Sequence, residues 1–129
     1  MPTVFSKIVN GEIPSYKIFE DDKFYAFLDI NPNAIGHTLC IPKIEVNRLF
    51  DLDDDTYSGL MNFSKKIAKA LKKAVDCDRI GVSVIGLEVP HVHVHLIPIN
   101  SMDDMSFNSK VKLTTKEFND ILDKIKANL

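Results

Sequence analysis

The sequence predicts a single α+β domain on a largely antiparallel, five-stranded sheet, with one long helix and one C-terminal helix. Short strand-like runs are separated by turn signals rather than by helices, which is typical of hairpin connections. A long stretch with apolar residues at three- and four-residue steps predicts the long helix, and a capping motif near the end of the chain predicts the other. The predicted order, after a short first helix, is β-β-β-α-β-β-α.

The first half of the chain predicts a short helix followed by three strands. Residues 3–10 can form the helix, which would end at Gly11, where glycine tolerates the left-handed cap conformation. The turn signal Asp21–Asp22 separates the first two strands, and Asn31–Asn33 ends the second. The three strands are predicted at Tyr16–Glu20, Phe24–Ile30 and His37–Ile41.

The second half opens with the clearest helix, between Asp53 and Val75. Its lysines lie mostly opposite its apolar positions, which indicates a solvated helix face. Asp53 and the acidic residues that follow suit a helix N-terminus, as cap and against the dipole. Thr114 and Glu117 form a capping-box pattern that predicts the last helix. The two remaining strands are predicted at Ile80–Ile85 and Val89–Ile99, joined by a turn at 86–88.

Composition excludes several classes of protein. The chain has 129 residues, 45% of them hydrophobic, which fits one folded domain and argues against disorder. A formal net charge of −2 gives no basic excess for nucleic acid or an anionic membrane. No apolar run is long enough for a transmembrane helix, and the first residues lack a signal-peptide pattern. We therefore expect a cytoplasmic protein in which Cys40 and Cys77 are free thiols.

Three of the four histidines, His91, His93 and His95, alternate within the last predicted strand. Alternate side chains of a strand point to one face, about 6.6 Å apart along it. The residues between and after the histidines are apolar, so they predict that the other face of the strand packs in the core. These residues are Val92, Val94 and Leu96. The pattern predicts a row of three imidazoles on the opposite side.

Three explanations compete for this row. The histidines could be polar residues on the solvent side of a half-buried strand. They could bind a metal, although the outer pair lies roughly 13 Å apart along the strand and a third ligand would have to come from elsewhere. They could also catalyse a nucleophilic reaction, because a free imidazole with a pKa of about 6.5 is mostly neutral at pH 7. Imidazole attacks phosphorus and forms an N–P bond that water can break, so this explanation is the most economical.

The histidine row and further segments resemble the histidine triad (HIT) family, in particular its nucleotide-binding Hint-type branch. The run HVHVHLI at 91–97 fits the family signature of three alternating histidines. The further segments are residues 5–14, 29–32 and 36–43. The resemblance implies a HIT-like fold paired as a two-fold dimer of two such sheets. It also places a HIT domain at 4–107 and a C-terminal extension with a helix at 108–129.

The resemblance further implies a nucleoside phosphate bound over the triad and a role for each site residue. His93 would be the nucleophile that becomes transiently nucleotidylated, and His95 would hydrogen-bond the phosphate or the leaving group. His91 would orient its neighbour, and His37 would support the cluster from the adjoining strand. Asp29 would bind the ribose hydroxyls. Four apolar residues would sandwich the base, unless they only pack in the core: Phe5, Ile8, Phe27 and Ile30.

One departure from the family concerns the segment before the triad. Family members usually carry an amide there, often Gln after Gly, and an Asn further upstream, whereas this chain has neither between Arg79 and Ile97. Leu87 occupies the Gln-like position, Glu88 follows it, and Ser83 is the nearest hydroxyl, so Glu88 and Ser83 are candidate substrate-binding residues. Each missing hydrogen bond costs about 0.5–1.5 kcal/mol, which predicts slow turnover or a different leaving group.

The implied function is cleavage of a purine nucleoside phosphoramidate, or a related nucleotidyl conjugate, through a covalent nucleotidyl-histidine. The reaction would need no metal or other cofactor, because imidazole is itself the nucleophile. Two alternatives are a dinucleoside polyphosphate hydrolase and a nucleotide-binding interaction protein with weak residual catalysis. We expect a homodimer that binds a purine nucleotide and neither nucleic acid nor a membrane.

Overall fold

A computed structural model of the protein describes residues 2–129 and has five strands in one antiparallel sheet, which confirms the predicted α+β fold. The strands lie in the order β1-β2-β3-β5-β4, so β4 forms one edge of the sheet and β1 the other. The strands are β1 (Lys17–Glu20), β2 (Phe24–Leu28), β3 (Thr38–Pro42), β4 (Arg79–Ser83) and β5 (Val94–Ile99). The helices are α1 (Val4–Val9), α2 (Asp54–Ala74) and α3 (Thr115–Ala127), with short 3₁₀ turns at Leu49–Asp51 and Met102–Met105.

The last strand is shorter than the sequence predicts. It begins at Val94 rather than Val89, because β4 ends at Ser83 and the pairing with β3 goes no further than Val94. The segment before β5 instead bonds to a loop, where the Val92 amide donates to the Val46 carbonyl at 2.8 Å. The first two histidines of the row therefore precede the strand. The other predicted strands are present, with ends that differ by one or two residues.

The side chains of β2 alternate between two apolar clusters, which consequently lie on opposite faces of the sheet. The larger cluster packs the sheet against α2 and α3, and the predicted core residues Val92, Val94 and Leu96 belong to it. The smaller cluster lies beside α1 and consists of Phe5, Tyr25, Phe27, Leu39 and Ile41. Helices α2 and α3 cover the face with the larger cluster, whereas the face with the smaller cluster keeps room for a site beside α1.

The helices begin at capping residues that the sequence predicts. Asp53 accepts a hydrogen bond from the Thr56 amide at 2.7 Å at the start of α2. Thr114 and Glu117 form the predicted capping box of α3, which packs against α2 and β1 through its apolar face. Within residues 2–129, no helix is both long and apolar enough to cross a bilayer. The domain boundary at residue 107 stays a prediction.

Candidate active site

A cleft of about 670 Å³ opens on the face of the sheet that carries the smaller apolar cluster. Its walls come from α1, the end of β2, the segment before β5 and residues that follow β5. Eight predicted site residues line it: Phe5, Ile8, Phe27, Asp29, Ile30, Glu88, His93 and His95. The other predicted site residues, His37, His91 and Ser83, lie outside the lining. The fold therefore brings together most of the residues that the sequence singles out.

His93 is held in one tautomer by a backbone contact. Its Nδ1 lies 2.7 Å from the His91 carbonyl oxygen, and since a carbonyl only accepts, Nδ1 carries the proton and donates. The neutral ring then has an unprotonated Nε2 with a free lone pair. The ring is 7% exposed and packs edge-on against Phe5, with centroids 4.9 Å apart. This arrangement presents a fixed imidazole nitrogen to the cleft.

His95 is fixed in the opposite tautomer by a relay of hydrogen bonds. The backbone N–H of Asn33 donates to His37 Nδ1 at 2.9 Å, so the proton of neutral His37 sits on Nε2. That Nε2–H donates to His95 Nδ1, also at 2.9 Å. His95 consequently keeps its own proton on Nε2. The cleft thus has an acceptor nitrogen on His93 beside a donor nitrogen on His95, with ring centroids 4.8 Å apart.

His91 differs from the predicted row, because it is fully buried and does not line the cleft. Its Nε2 donates to the Pro42 carbonyl at 2.8 Å, and its Nδ1 therefore accepts from the Thr3 hydroxyl at 2.8 Å. Thr3 is bound in turn through its amide to Glu45 Oε1 at 2.6 Å. The His91 ring still lies on the predicted face, because it packs edge-on against Phe5, with centroids 5.9 Å apart, while Val92 and Val94 pack in the larger cluster. It is buried there, so only two of the three imidazoles reach the cleft. His91 reaches the site through its carbonyl, which orients His93.

Burial keeps all four histidines neutral at pH 7. It lowers the pKa of His37 to about 3 and that of His95 to about 4, with smaller lowering of the pKa values of His91 and His93. Asp29 Oδ2 lies 3.6 Å from His37 Nε2, and because His37 is neutral this contact is not an ion pair. Burial also raises the pKa of the Asp29 carboxyl. The site is therefore a set of neutral, oriented imidazoles beside one half-buried carboxyl.

Comparison with known proteins decides the family, because residues 10–102 match the HIT domain. This chain belongs to the HIT domain family. An uncharacterized HIT-like protein of Borreliella burgdorferi is 38% identical over 98% of this chain and 97% of that protein. Adenosine 5'-monophosphoramidase HNT1 of Saccharomyces cerevisiae is 43% identical, over 74% of this chain and 61% of the yeast protein. The crystal structure of a Hit-like protein involved in cell-cycle regulation from Bartonella henselae superposes with a TM-score of 0.86, 36% identity and coverage of 98% and 96%.

The apolar residues predicted to sandwich the base divide between the core and the cleft rim of this HIT domain. Phe5 and Phe27 are buried in edge-to-face contact, with centroids 5.5 Å apart, and also line the cleft. Ile8 is half-buried, and Ile30 is 75% exposed at the rim. Packing and base contact are thus compatible roles for the two phenylalanines.

The segment before the triad places Ser83 and Leu87 very differently. Ser83 pairs with His95 in the sheet, yet its Oγ is buried, has no hydrogen-bond partner among residues 2–129 and does not line the cleft. Leu87 and Glu88 are exposed at the cleft rim. Consequently the rim carries an apolar side chain at the position where the family usually has an amide.

The sequence does not predict the residues that line the cleft beside His95. The Phe107 ring lies edge-on to His95, with centroids 4.8 Å apart, and Lys110 lines the cleft beside it. The sequence marks Asn33 only as the end of a strand, although its backbone N–H fixes His37. No local pattern marks these residues, because Phe107 and Lys110 follow a polar stretch beyond the part that matches the HIT domain.

The metal alternative finds one candidate group among the described residues, and that group contains only one histidine of the row. Asp29, His37 and His95 each offer an atom within 4.8 Å of the others. Two of these side chains, His37 and His95, are already joined by the hydrogen bond that fixes their tautomers. A metal would have to break that bond, so these side chains as arranged fit a chain of orienting hydrogen bonds better than a metal centre.

Proposed function

We propose that this protein is a nucleotide-binding hydrolase that cleaves a purine nucleoside phosphoramidate, or a related nucleotidyl conjugate, through a covalent intermediate on His93. The observation that carries the proposal is the tautomer of His93, whose Nδ1 donates to the His91 carbonyl and leaves Nε2 free in the cleft. Three relatives that are 35–43% identical are named adenosine 5'-monophosphoramidases. They support this substrate class for a HIT-family chain.

The first step is attack of His93 Nε2 on the substrate phosphorus. The bond from phosphorus to the amine breaks, the amine leaves with a proton from water, and water then hydrolyses the phospho-histidine to release the nucleoside monophosphate. His95 Nε2–H stabilises the phosphate oxygens as a hydrogen-bond donor. It acts as a donor rather than as the acid, because the relay from Asn33 through His37 offers no proton to replace one that His95 gives up.

The nucleoside part of the substrate has its own surfaces. The Asp29 side chain is half-buried in the cleft wall, where its carboxyl is a suitable acceptor for the vicinal ribose hydroxyls. The base would lie against Phe5 and Phe27, with Ile8 and Ile30 at the side. Binding energy from the nucleoside would hold the phosphorus near His93 Nε2.

His93→Ala tests this proposal. Replacing the nucleophile should lower turnover of an adenosine phosphoramidate by about 10³-fold or more, because no other free imidazole nitrogen is held at that position. Nucleotide affinity should survive, which calorimetry with AMP would show. Mass spectrometry of wild-type protein quenched during turnover should find a nucleotidyl adduct on His93. Turnover by His93→Ala at more than a tenth of the wild-type rate would overturn the mechanism.

Leu87 favours a second candidate, a nucleotide-binding interaction protein with weak residual catalysis. It is 90% exposed and offers no hydrogen bond at the Gln-like position. In that case the wild-type protein would bind AMP and hydrolyse the phosphoramidate no faster than His93→Ala.

A diadenosine polyphosphate, assayed in parallel, tests the third candidate, since preferential cleavage of that substrate would identify a dinucleoside polyphosphate hydrolase.

We propose a homodimer in addition, as the family resemblance implies. Strand β4 has one neighbour in the sheet, and its Val82 side chain is exposed, so this edge is open to pairing with a second copy. Sedimentation equilibrium should give twice the chain mass of 14.6 kDa. A mass equal to one chain at micromolar concentration would contradict the dimer.

A further inference from the structure

The cleft has little positive charge to offer a phosphate. Its lining includes the carboxyl groups of Asp29 and Glu88, and its neighbouring imidazoles are neutral. The neutrality of His37 follows from geometry too, because its Nδ1 accepts from the Asn33 amide and so carries no proton. Among the lining residues that the structure describes, Lys110 is the one permanent cation. A hydrogen bond from a cation to an anionic phosphate is roughly twice as strong as one from a neutral donor.

Lys110 is held at the His95 end of the cleft. Its Nζ donates to Asn33 Oδ1 at 2.7 Å and lies 4.9 Å from the centroid of the Phe107 ring. The same Phe107 ring contacts His95. Asn33 is 5% exposed, and its backbone N–H donates to His37. One buried residue therefore positions Lys110 through its side chain and the relay that orients His95 through its backbone. Lysine has three ammonium hydrogens, and the bond to Asn33 uses one of them.

We propose that Lys110 is a phosphate-binding residue of this cleft. The inference rests on the proposed function and deepens it, since it identifies what binds the anionic part of the substrate. A nucleotide phosphate placed over His93 accepts from His95 Nε2–H and from Lys110 Nζ. The remaining hydrogens of the ammonium group make that contact without breaking the bond to Asn33.

A purely structural role for Lys110 is not needed to keep this segment in place. The Val111 amide donates to the Pro32 carbonyl at 3.0 Å, and Asn33 Nδ2 donates to the Asp104 carbonyl at 3.3 Å. These bonds hold the segment on both sides of Lys110. The side chain is itself exposed, so its replacement opens no cavity, and it removes from the cleft one charge together with the bond to Asn33 Oδ1.

The test is calorimetric binding of AMP and of adenosine to three variants and the wild-type protein. Lys110→Met removes the charge and keeps the aliphatic length, and Lys110→Arg restores a charge. Lys112→Met is the matched control, because it removes an equal charge from the same exposed segment outside the cleft lining. Turnover of an adenosine phosphoramidate is measured for all four proteins.

Lys110→Met should weaken AMP binding about tenfold and leave adenosine binding within twofold of wild type. The AMP affinity of the wild type should fall with salt more steeply than that of Lys110→Met, and KM should rise more than kcat falls. Lys110→Arg should recover most of the loss, and Lys112→Met should match wild type.

Equal AMP affinity in Lys110→Met and wild type would overturn this inference alone. Equal losses for AMP and adenosine would show a structural role and would also overturn it. A wild-type protein that binds neither ligand would refute the proposed function as well.

Discussion

The two ends of the histidine cluster are built for different purposes. At the closed end, His91 is fully buried, and both ring nitrogens are occupied by the Pro42 carbonyl and the Thr3 hydroxyl. At the open end, His93 and His95 each use one nitrogen in a fixed hydrogen bond and keep the other for the cleft. Equal spacing in the sequence therefore does not give the three histidines equal roles.

Within the open end, two different hydrogen-bond partners give two tautomers of the same side chain. A carbonyl acceptor on Nδ1 makes His93 expose a lone pair, and a donor on Nδ1 makes His95 expose a proton. Neither ring needs an ionised partner. The closed end contributes rigidity, because the carbonyl that fixes His93 belongs to the residue that Thr3 and Pro42 hold in place.

The largest effect that sharpens the comparison is expected for His95→Asn. The Asn side-chain oxygen can still accept from His37 Nε2, but its amide is too short to reach a phosphate in the cleft. The loss of one charge-stabilising donor should lower kcat by about 10²–10³-fold, or about 3–4 kcal/mol. Steady-state kinetics with an adenosine phosphoramidate measures this loss, and urea unfolding serves as the control. A fall in stability that matches the fall in activity would place His95 with the structural end instead.

The sequence predicts local features well and distant contacts poorly. Strands, helix caps and the alternation of histidines with apolar residues depend on neighbours in the chain, and the structure confirms them. The burial of His91 depends on Thr3, which is 88 residues away. The start of β5 likewise depends on where β4 stops pairing. Such contacts leave no local pattern, and the same holds for Lys110, whose place in the cleft depends on its bond to Asn33.

A second effect concerns how the free energy of unfolding changes with pH, and it tests His37, which supports the open end through its bond to His95. The unfolded pKa of histidine is about 6.5 and burial lowers the folded pKa of His37 to about 3, so the unfolded state binds more protons between these values. Stability contributed by neutral His37 is present above pH 6.5 and is lost as pH falls. From pH 7 to pH 5 this loss should be about 2 kcal/mol for His37 alone.

His37→Gln provides the comparison for this pH effect, because Gln can still donate to His95 and does not titrate. Urea unfolding at pH 7 and pH 5 should show that the variant loses about 2 kcal/mol less than wild type on acidification. Asp29, whose pKa burial raises, acts in the opposite direction in both proteins and largely cancels from the difference. Identical pH dependence in the two proteins would mean that His37 is not kept neutral by the fold.

The smallest effect is expected at the closed end, for Thr3→Val. The substitution removes the hydroxyl that donates to His91 Nδ1 and that accepts from the Ser6 amide at the start of α1. The loss should cost about 1–2 kcal/mol in the free energy of unfolding, measured with urea. Turnover should stay within about threefold of wild type, because the His91 carbonyl that orients His93 is also held through Pro42.

Thr3→Ser keeps the hydroxyl and should behave as wild type. If Thr3→Val instead lost turnover tenfold with its stability intact, the closed end would be part of the catalytic apparatus, and the division between the two ends would fail.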